Sequence, residues 1–154
     1  MSVLEKISED LKTAMKSGDK TRLETIRSIR AGLLEKQVEK RPTGGMTAED
    51  ELGVIIAASK KRKESIEVYR ANNRNDLAAQ EEAELSVIME YLPKQMSPDE
   101  VADIVKKAIA QVGATSEKDF GKVMGPLMKE LKGKADGKLI QDTLKSVLAS
   151  LTAK

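Results

Sequence analysis

The chain has 154 residues, of which 40% are hydrophobic, enough to bury a core in one domain or two small ones. Aromatic residues make up only 2% of it, so the core must be aliphatic, a composition that favours helices over strands. The formal net charge is +2, which means that any basic surface must be local. Cysteine and histidine are absent, which excludes a thiol nucleophile, an imidazole base, a disulfide and the usual zinc sites.

The first residues, MSVLEKISEDLK, carry Glu5, Glu9 and Asp10 among the apolar positions. They therefore lack the apolar region of a signal peptide, and no run in the chain approaches the ~18 apolar residues of a membrane span. We expect from this a cytoplasmic protein with no membrane contact.

Two helices are predicted before residue 45. Ser2 followed by Glu5 is a capping box, and Gly18 supplies the C-terminal stop of this first helix. Asp19 can cap a second helix, which runs to the Pro-Thr-Gly-Gly break at 42–45.

Two more helices are predicted before residue 95. Thr47 opens the third, which continues to the Asn-Asn-Arg-Asn turn at 72–75. Asp76 can cap the fourth, and Pro93 ends it.

The remaining chain predicts three helices. Ser97 and Glu100 form a second capping box, which opens a fifth helix closed by Gly113. The segment 118–138 contains a sixth helix, and Asp136 caps the seventh.

No segment shows the alternation of a strand, so the predicted fold class is all-α. We place a domain boundary in the segment 92–97, because a helix ends before it and a strongly marked one begins after it. The prediction is a four-helix domain at residues 1–95 and a three-helix domain at residues 96–154.

The sixth helix combines an apolar stripe with a basic one. The apolar residues repeat with helical spacing, at Phe120, Val123, Met124, Leu127, Met128 and Leu131. On a helical wheel an opposite arc of about 80° holds lysines, one glycine and no acid. These residues are Lys118, Lys122, Gly125, Lys129 and Lys132, and Lys134 and Lys138 follow around the end of the helix.

Packing requires only the apolar stripe. The lysines could form a surface that binds phosphates without reading bases, and a glycine among them would let another backbone approach closely. The alternative is an ordinary solvated helix face, on which lysine is common.

Arg62 is a charged residue on a face that should pack inward. On the wheel it shares that face with Ile55 and Ile66, while Glu81 and Glu84 share the inward face of the fourth helix. An isolated buried charge is very costly, so we predict that Arg62 pairs with Glu81 or Glu84. The main interpretation is an ion pair that fixes the register of two helices, and the alternative is a small-ligand or active site.

No catalytic constellation emerges from the sequence. Paired carboxylates on one helix would need a cleft and a second reacting group, and GKVMG lacks the order of a phosphate-binding loop. We therefore expect no catalytic residues, no metal and no cofactor.

Three segments together resemble the YqeY family. They are KKRKESIEVYRANNRNDLAAQEEAEL from Lys60, YLPKQMSPDE from Tyr91, and the sixth-helix region with GKVMG and KGKADGK. Members are stand-alone relatives of the tail region of the GatB subunit of glutamine-dependent tRNA amidotransferases. The resemblance covers essentially the whole chain and implies two helical subdomains. In one respect the chain departs from it, since Pro126 falls inside the sixth helix and would kink or split it.

The resemblance also implies a connection with tRNA, which the related tail region is understood to contact. The expected function is a non-catalytic binding or adaptor module, with tRNA or an aminoacyl-tRNA-related protein as partner and no DNA expected. Two alternatives stay open: an accessory role in carbon-nitrogen ligation with glutamine as amido donor, and a pure protein-protein interaction module.

Overall fold

The structure is a computed structural model, which describes residues 1–152. Within those residues it contains seven α-helices and two short 3-10 helices and no strand, so the all-α prediction is confirmed. The chain divides into two compact units, Met1–Leu92 and Pro93–Lys154.

The first unit contains four α-helices and one 3-10 helix. Their bounds are α1 Val3–Ser17, α2 Lys20–Lys40, the 3-10 helix Arg41–Thr43, α3 Ala48–Ala71 and α4 Asn75–Met89. Helices α3 and α4 form its most extensive helix pair, and α2 packs against α1, α3 and α4. The core lies between these helices and is aliphatic apart from one tyrosine: Ile7, Ala14, Ile26, Ile29, Leu33, Ile55, Val87, Ile88 and Tyr91.

The second unit contains three α-helices and one 3-10 helix. Their bounds are α5 Pro98–Val112, the 3-10 helix Glu117–Asp119, α6 Phe120–Leu131 and α7 Gly137–Thr152. Each of the three α-helices packs against the other two. The segment before α5 belongs to this unit, since the Gln95 side chain donates to the Gly133 carbonyl at 2.7 Å and the Met96 N–H to the Lys134 carbonyl at 2.8 Å.

Local capping explains where most helices begin. The Ser2 hydroxyl accepts from the Glu5 N–H at 3.1 Å, and the Glu5 carboxylate accepts from the Ser2 N–H at 2.8 Å. Ser97 and Glu100 form the same reciprocal pair, and Gly18 ends α1 with a left-handed φ of 77°. These signals lie within a few residues of one another, which is why the sequence predicts them.

The start of α4 differs from the prediction. The helix begins at Asn75, and its N-cap residue Arg74 makes no capping side-chain bond. The Asp76 carboxylate instead accepts two hydrogen bonds from the Arg74 guanidinium, both at 3.2 Å. Asp76 therefore lies within the first turn, where a negative charge favours the helix N-terminus.

Pro126 does not split the sixth helix. Helix α6 runs from Phe120 to Leu131 with the proline inside it. Pro126 lies on the exposed side of the helix, as does Lys122, whose carbonyl loses the hydrogen bond that a non-proline residue would supply. An exposed carbonyl can be hydrated, so the loss costs less there than in the core.

Candidate functional site

The predicted basic residues of the second unit occupy several backbone elements rather than one helix. Lys122, Gly125 and Lys129 lie on α6, and all three are exposed. Lys118 lies in the preceding 3-10 helix, and Lys132 is the C-cap of α6, with a non-helical ψ of 121°. Lys134 follows in the turn, and Lys138 lies in the first turn of α7.

The apolar stripe of α6 faces the core, as the spacing predicts. Val123, Leu127 and Leu131 are completely buried, whereas Met128 at the edge of the stripe is 39% exposed. The lysines of α6 consequently project away from the core. We call Lys118, Lys122, Gly125, Lys129, Lys132, Lys134 and Lys138 the basic face.

The basic face carries the positive charge of its unit. Residues 93–154 contain 11 lysines and no arginine against 8 acids, a net charge of +3. The segment 118–138 alone contains 6 lysines and 3 acids, which is also +3. The rest of the unit is electrically balanced, so the field that an anion meets is concentrated around α6.

Asp119 is the acid that reduces this field on the N-terminal side. Its carboxylate accepts from the Thr115 N–H at 2.9 Å and lies 3.7 Å from the Lys122 Nζ. The Thr115 hydrogen bond, more than the nearby lysine, holds the pKa of Asp119 below its usual value. Asp119 is therefore ionised at neutral pH and partly neutralises Lys122, while Lys118 and Lys129 have no acid within ion-pair distance among residues 1–152.

Gly125 leaves an open surface between the lysines of α6. A Cβ atom built at Gly125 would meet nothing within 4 Å. Lys132 is less accessible, because it is partly buried. Lys122 and Lys129 are therefore the exposed lysines nearest in sequence to the open surface at Gly125.

In the first unit the structure brings Arg62, Glu81 and Glu84 together. The Arg62 Nη1 lies 3.1 Å from Oε2 of Glu81 and 3.0 Å from Oε2 of Glu84. The side chain of Arg62 is 24% exposed and those of the two acids are 16% and 14% exposed. One nitrogen of the guanidinium on α3 therefore forms ion pairs with two carboxylates of α4, and of the two only Glu81 accepts a hydrogen bond from it.

Two polar contacts of the first unit carry no local sequence signal. Glu51 is 5% exposed, and its carboxylate accepts from the Leu4 N–H at the start of α1 at 2.8 Å. The Tyr91 hydroxyl donates to Oδ2 of Asp10 at 2.5 Å. Both contacts join residues far apart in the chain, so only the packing of the helices reveals them.

Burial raises the pKa of the Tyr91 phenol, and the hydrogen bond to Asp10 raises it further. The Lys6 ammonium lies 5.5 Å from the centre of the Tyr91 ring. Nearby, Arg22 forms an ion pair with Glu90 at 2.6 Å, and that hydrogen bond raises the pKa of Arg22. This cluster is fully paired and fixes the end of α4 against α1 and α2.

Within residues 1–152 no group of three or more acids is arranged to hold a metal ion. None of the helices described there is long and apolar enough to cross a membrane.

Comparison with known proteins identifies the family. A family model described as Yqey-like protein matches residues 4–148. The chain therefore belongs to the YqeY family, and the resemblance found in the sequence is confirmed.

Curated relatives cover most of the chain. One, named "Altered inheritance of mitochondria protein 41, mitochondrial", from Pyrenophora tritici-repentis, is 30% identical over 96% of this chain and 82% of the relative. Relatives of the same name from Vanderwaltozyma polyspora and Saccharomyces cerevisiae are 34% and 32% identical. The matches cover 82% and 86% of this chain and 72% and 62% of those relatives.

These names contradict the prediction of a cytoplasmic protein. The relatives are named as mitochondrial, and the cytoplasmic assignment is not retained. The prediction was wrong because it relied on the lack of long apolar segments, a feature that does not distinguish one aqueous compartment from another.

Proposed function

We propose that the second unit binds the phosphate backbone of RNA through its basic face. The observation that carries the proposal is the concentration of the unit's entire net charge of +3 in the segment 118–138. Lysine neutralises phosphates as a point charge and needs no fixed base geometry, which suits binding that is independent of sequence.

The two accessible lysines of α6 flank an open stretch of the helix that a nucleic-acid backbone can approach. Lys122 and Lys129 are seven residues apart on α6, which corresponds to about 10 Å along a helix at ~1.5 Å per residue. Gly125 lies between them with open space above it, so a backbone can approach the helix between the two ammonium groups.

The resemblance to the GatB tail suggests tRNA as the RNA, and in this proposal the chain acts as a non-catalytic adaptor. The contact is electrostatic, so the affinity should fall as the salt concentration rises. In a plot of log affinity against log salt concentration, each contacted phosphate should contribute about −0.7 to −0.9 to the slope. Because only a few lysines contact phosphates, we expect weak binding at physiological salt.

The test is a filter-binding titration of tRNA at several salt concentrations with matched lysine variants. Lys122→Ala combined with Lys129→Ala should lower affinity roughly tenfold and reduce the salt slope by about 1–2. Lys106→Ala combined with Lys107→Ala is the control, because it removes two exposed lysines of α5 from the same unit. Equal losses in both pairs would show a nonspecific effect of charge, and no loss in the α6 pair would refute the proposal.

A further inference from the structure

The first unit contains a groove lined by residues of three helices. It has a volume of about 270 Å³, slightly below the ~300–1,000 Å³ of typical small-molecule sites, and it lies between α2 and α3. Small residues create it: Ser28 and Gly32 on α2, and Ala57 and Ala58 on α3. Buried Ile29 and Ile88 contribute an apolar floor.

The two helices touch closely at one point beside the groove. A Cβ atom at Gly32 would lie 3.3 Å from Cγ1 of Val54, so the Val54 side chain of α3 packs closely over this glycine of α2. The short side chains of Ser28 and Ala57 cannot fill the remaining space between the helices. The groove thus results from small side chains at the contact between α2 and α3.

Arg62 lines the groove and retains unused hydrogen-bond donors. Its contacts with Glu81 and Glu84 all involve Nη1. A guanidinium has five N–H donors, so three remain on Nε and Nη2, and these donate to no residue in the described part of the chain. The edge formed by Nε and Nη2 is one that pairs with a planar carboxylate through two parallel hydrogen bonds.

The surroundings define the ligand that would fit. Lys61, exposed and also lining the groove, adds a second cation, while the two glutamates bring the sum of these four charges to zero. Because these four charges leave no net attraction for an anion, binding depends on the donor geometry of Arg62, which matches one planar carboxylate. The apolar floor then accommodates a short hydrocarbon chain.

We propose that this groove binds a small carboxylate with a short apolar chain, with Arg62 as the anchor of the carboxylate. The two glutamates position the guanidinium, so that the ligand does not have to immobilise it. Because it involves the first unit alone, this proposal is independent of RNA binding by the basic face.

The experiment is a titration of the ¹⁵N-labelled full chain, followed by amide resonances at constant pH and ionic strength. The probes are hexanoate, its uncharged analogue hexanamide, and inorganic phosphate. Hexanoate should shift the resonances of residues 28–32 and 57–62 saturably in the millimolar range, and hexanamide should bind about tenfold more weakly, because it lacks the charge that strengthens both hydrogen bonds.

Three variants separate the site from the stability of the fold. Ala57→Leu fills the mouth of the groove without touching the ion pairs and should abolish the hexanoate shifts, while Ala31→Leu, an exposed position of α2 outside the groove, should preserve them. Arg62→Lys keeps the charge but loses the two-donor edge, and it should remove most of the preference for hexanoate over hexanamide.

Several results would overturn the proposal. They are the absence of saturable shifts with the unmodified chain, equal binding of hexanoate and hexanamide, and unchanged hexanoate binding by Ala57→Leu. Binding of phosphate at these residues without binding of hexanoate would also overturn it, because it would assign the groove to a free anion with no apolar part.

Discussion

The two units of the chain bury different kinds of side chain. In the described residues the buried polar and charged side chains, Thr25, Glu51 and Ser59, all belong to the first unit. Among residues 93–151 the buried side chains are all hydrophobic. The charged side chains of residues 93–151 lie at the surface or are only partly buried, with the lysine excess around α6.

This difference shows two ways in which a sequence can determine which helices pack together and in what register. In the first unit, polar contacts join particular helices: Glu51 of α3 contacts the start of α1, and Arg62 of α3 contacts two acids of α4. A slip of register would leave these groups unpaired, which is costly in a partly buried site. In its described part, the second unit is specified by apolar side chains and helix caps.

Replacing a core leucine of the second unit should have the largest effect. Leu127 is completely buried, so Leu127→Ala should lower the free energy of unfolding by about 2–5 kcal/mol through lost burial and the cavity that remains. Hydrogen exchange of the full chain should show the loss of protection in α5, α6 and α7. If the chain is built of two domains, α1–α4 should keep their protection.

The neighbouring Met128 supplies the control for this change. Its side chain is 39% exposed, so Met128→Ala should cost less than about 1 kcal/mol. Equal destabilisation by both variants would contradict the burial argument. Loss of protection throughout the chain would instead argue against two energetically separate domains.

Removing the shared cation of the first unit should have an intermediate effect. Arg62→Met leaves the Glu81 and Glu84 carboxylates beside each other without a partner, and we expect a loss of about 1–3 kcal/mol in urea unfolding. This loss is smaller than the loss expected for a fully buried ion pair, because the three side chains remain 14–24% exposed. Replacing both glutamates by glutamine in the same variant should recover most of the loss.

Arg70 lies on the same helix and provides the matched control. It pairs with Glu82, and its side chain is 61% exposed. Arg70→Met should therefore change stability by no more than about 0.5–1 kcal/mol. If Arg62→Met lowered stability by no more than this, the ion pairs of Arg62 would contribute no more to stability than a surface ion pair does.

Leaving the control variants aside, the smallest effect at neutral pH is expected for Tyr91→Phe. It removes the hydrogen bond to Asp10 but keeps the ring, so the loss should be about 1 kcal/mol. The variant should also change the response to alkaline pH. Burial raises the pKa of Tyr91 in the folded chain, so the folded state holds this proton more tightly than the unfolded state does.

The sign of the pH effect follows from that shift. The contribution of Tyr91 to stability is complete below the unfolded pKa of ~10 and is lost as the pH rises above it toward the folded pKa. Urea unfolding at pH 8 and pH 11 should show that the stability advantage over Tyr91→Phe shrinks at the higher pH. An advantage that is constant between the two pH values would contradict the assignment.

Much of the fold could be predicted because its signals are local. The capping boxes at Ser2 and Ser97 and the left-handed glycines at 18 and 113 connect residues no more than a few positions apart. The inward stripe of α6 follows from helical spacing, and its central residues Val123, Leu127 and Leu131 are fully buried.

The apolar spacing was less reliable at the edges of the helices. Met15 and Val38 continue the helical pattern of α1 and α2, yet they are 59% and 55% exposed. Spacing defines a direction around the helix but not how far the neighbouring helix extends along it. The same limit applies to the basic face, whose seven members lie on four successive backbone segments rather than on one helix.

The sequence by itself determined the class of the fold, the starts of most helices and the residues with an unusual charge for their position, because these depend on local hydrogen bonds and on helical periodicity. Only the tertiary structure decided that Glu51 meets the start of α1, that Tyr91 meets Asp10, and that small residues on α2 and α3 leave a groove beside Arg62. Each of these depends on which helices are neighbours and at what register, and that choice results from packing over the whole unit rather than from any one segment.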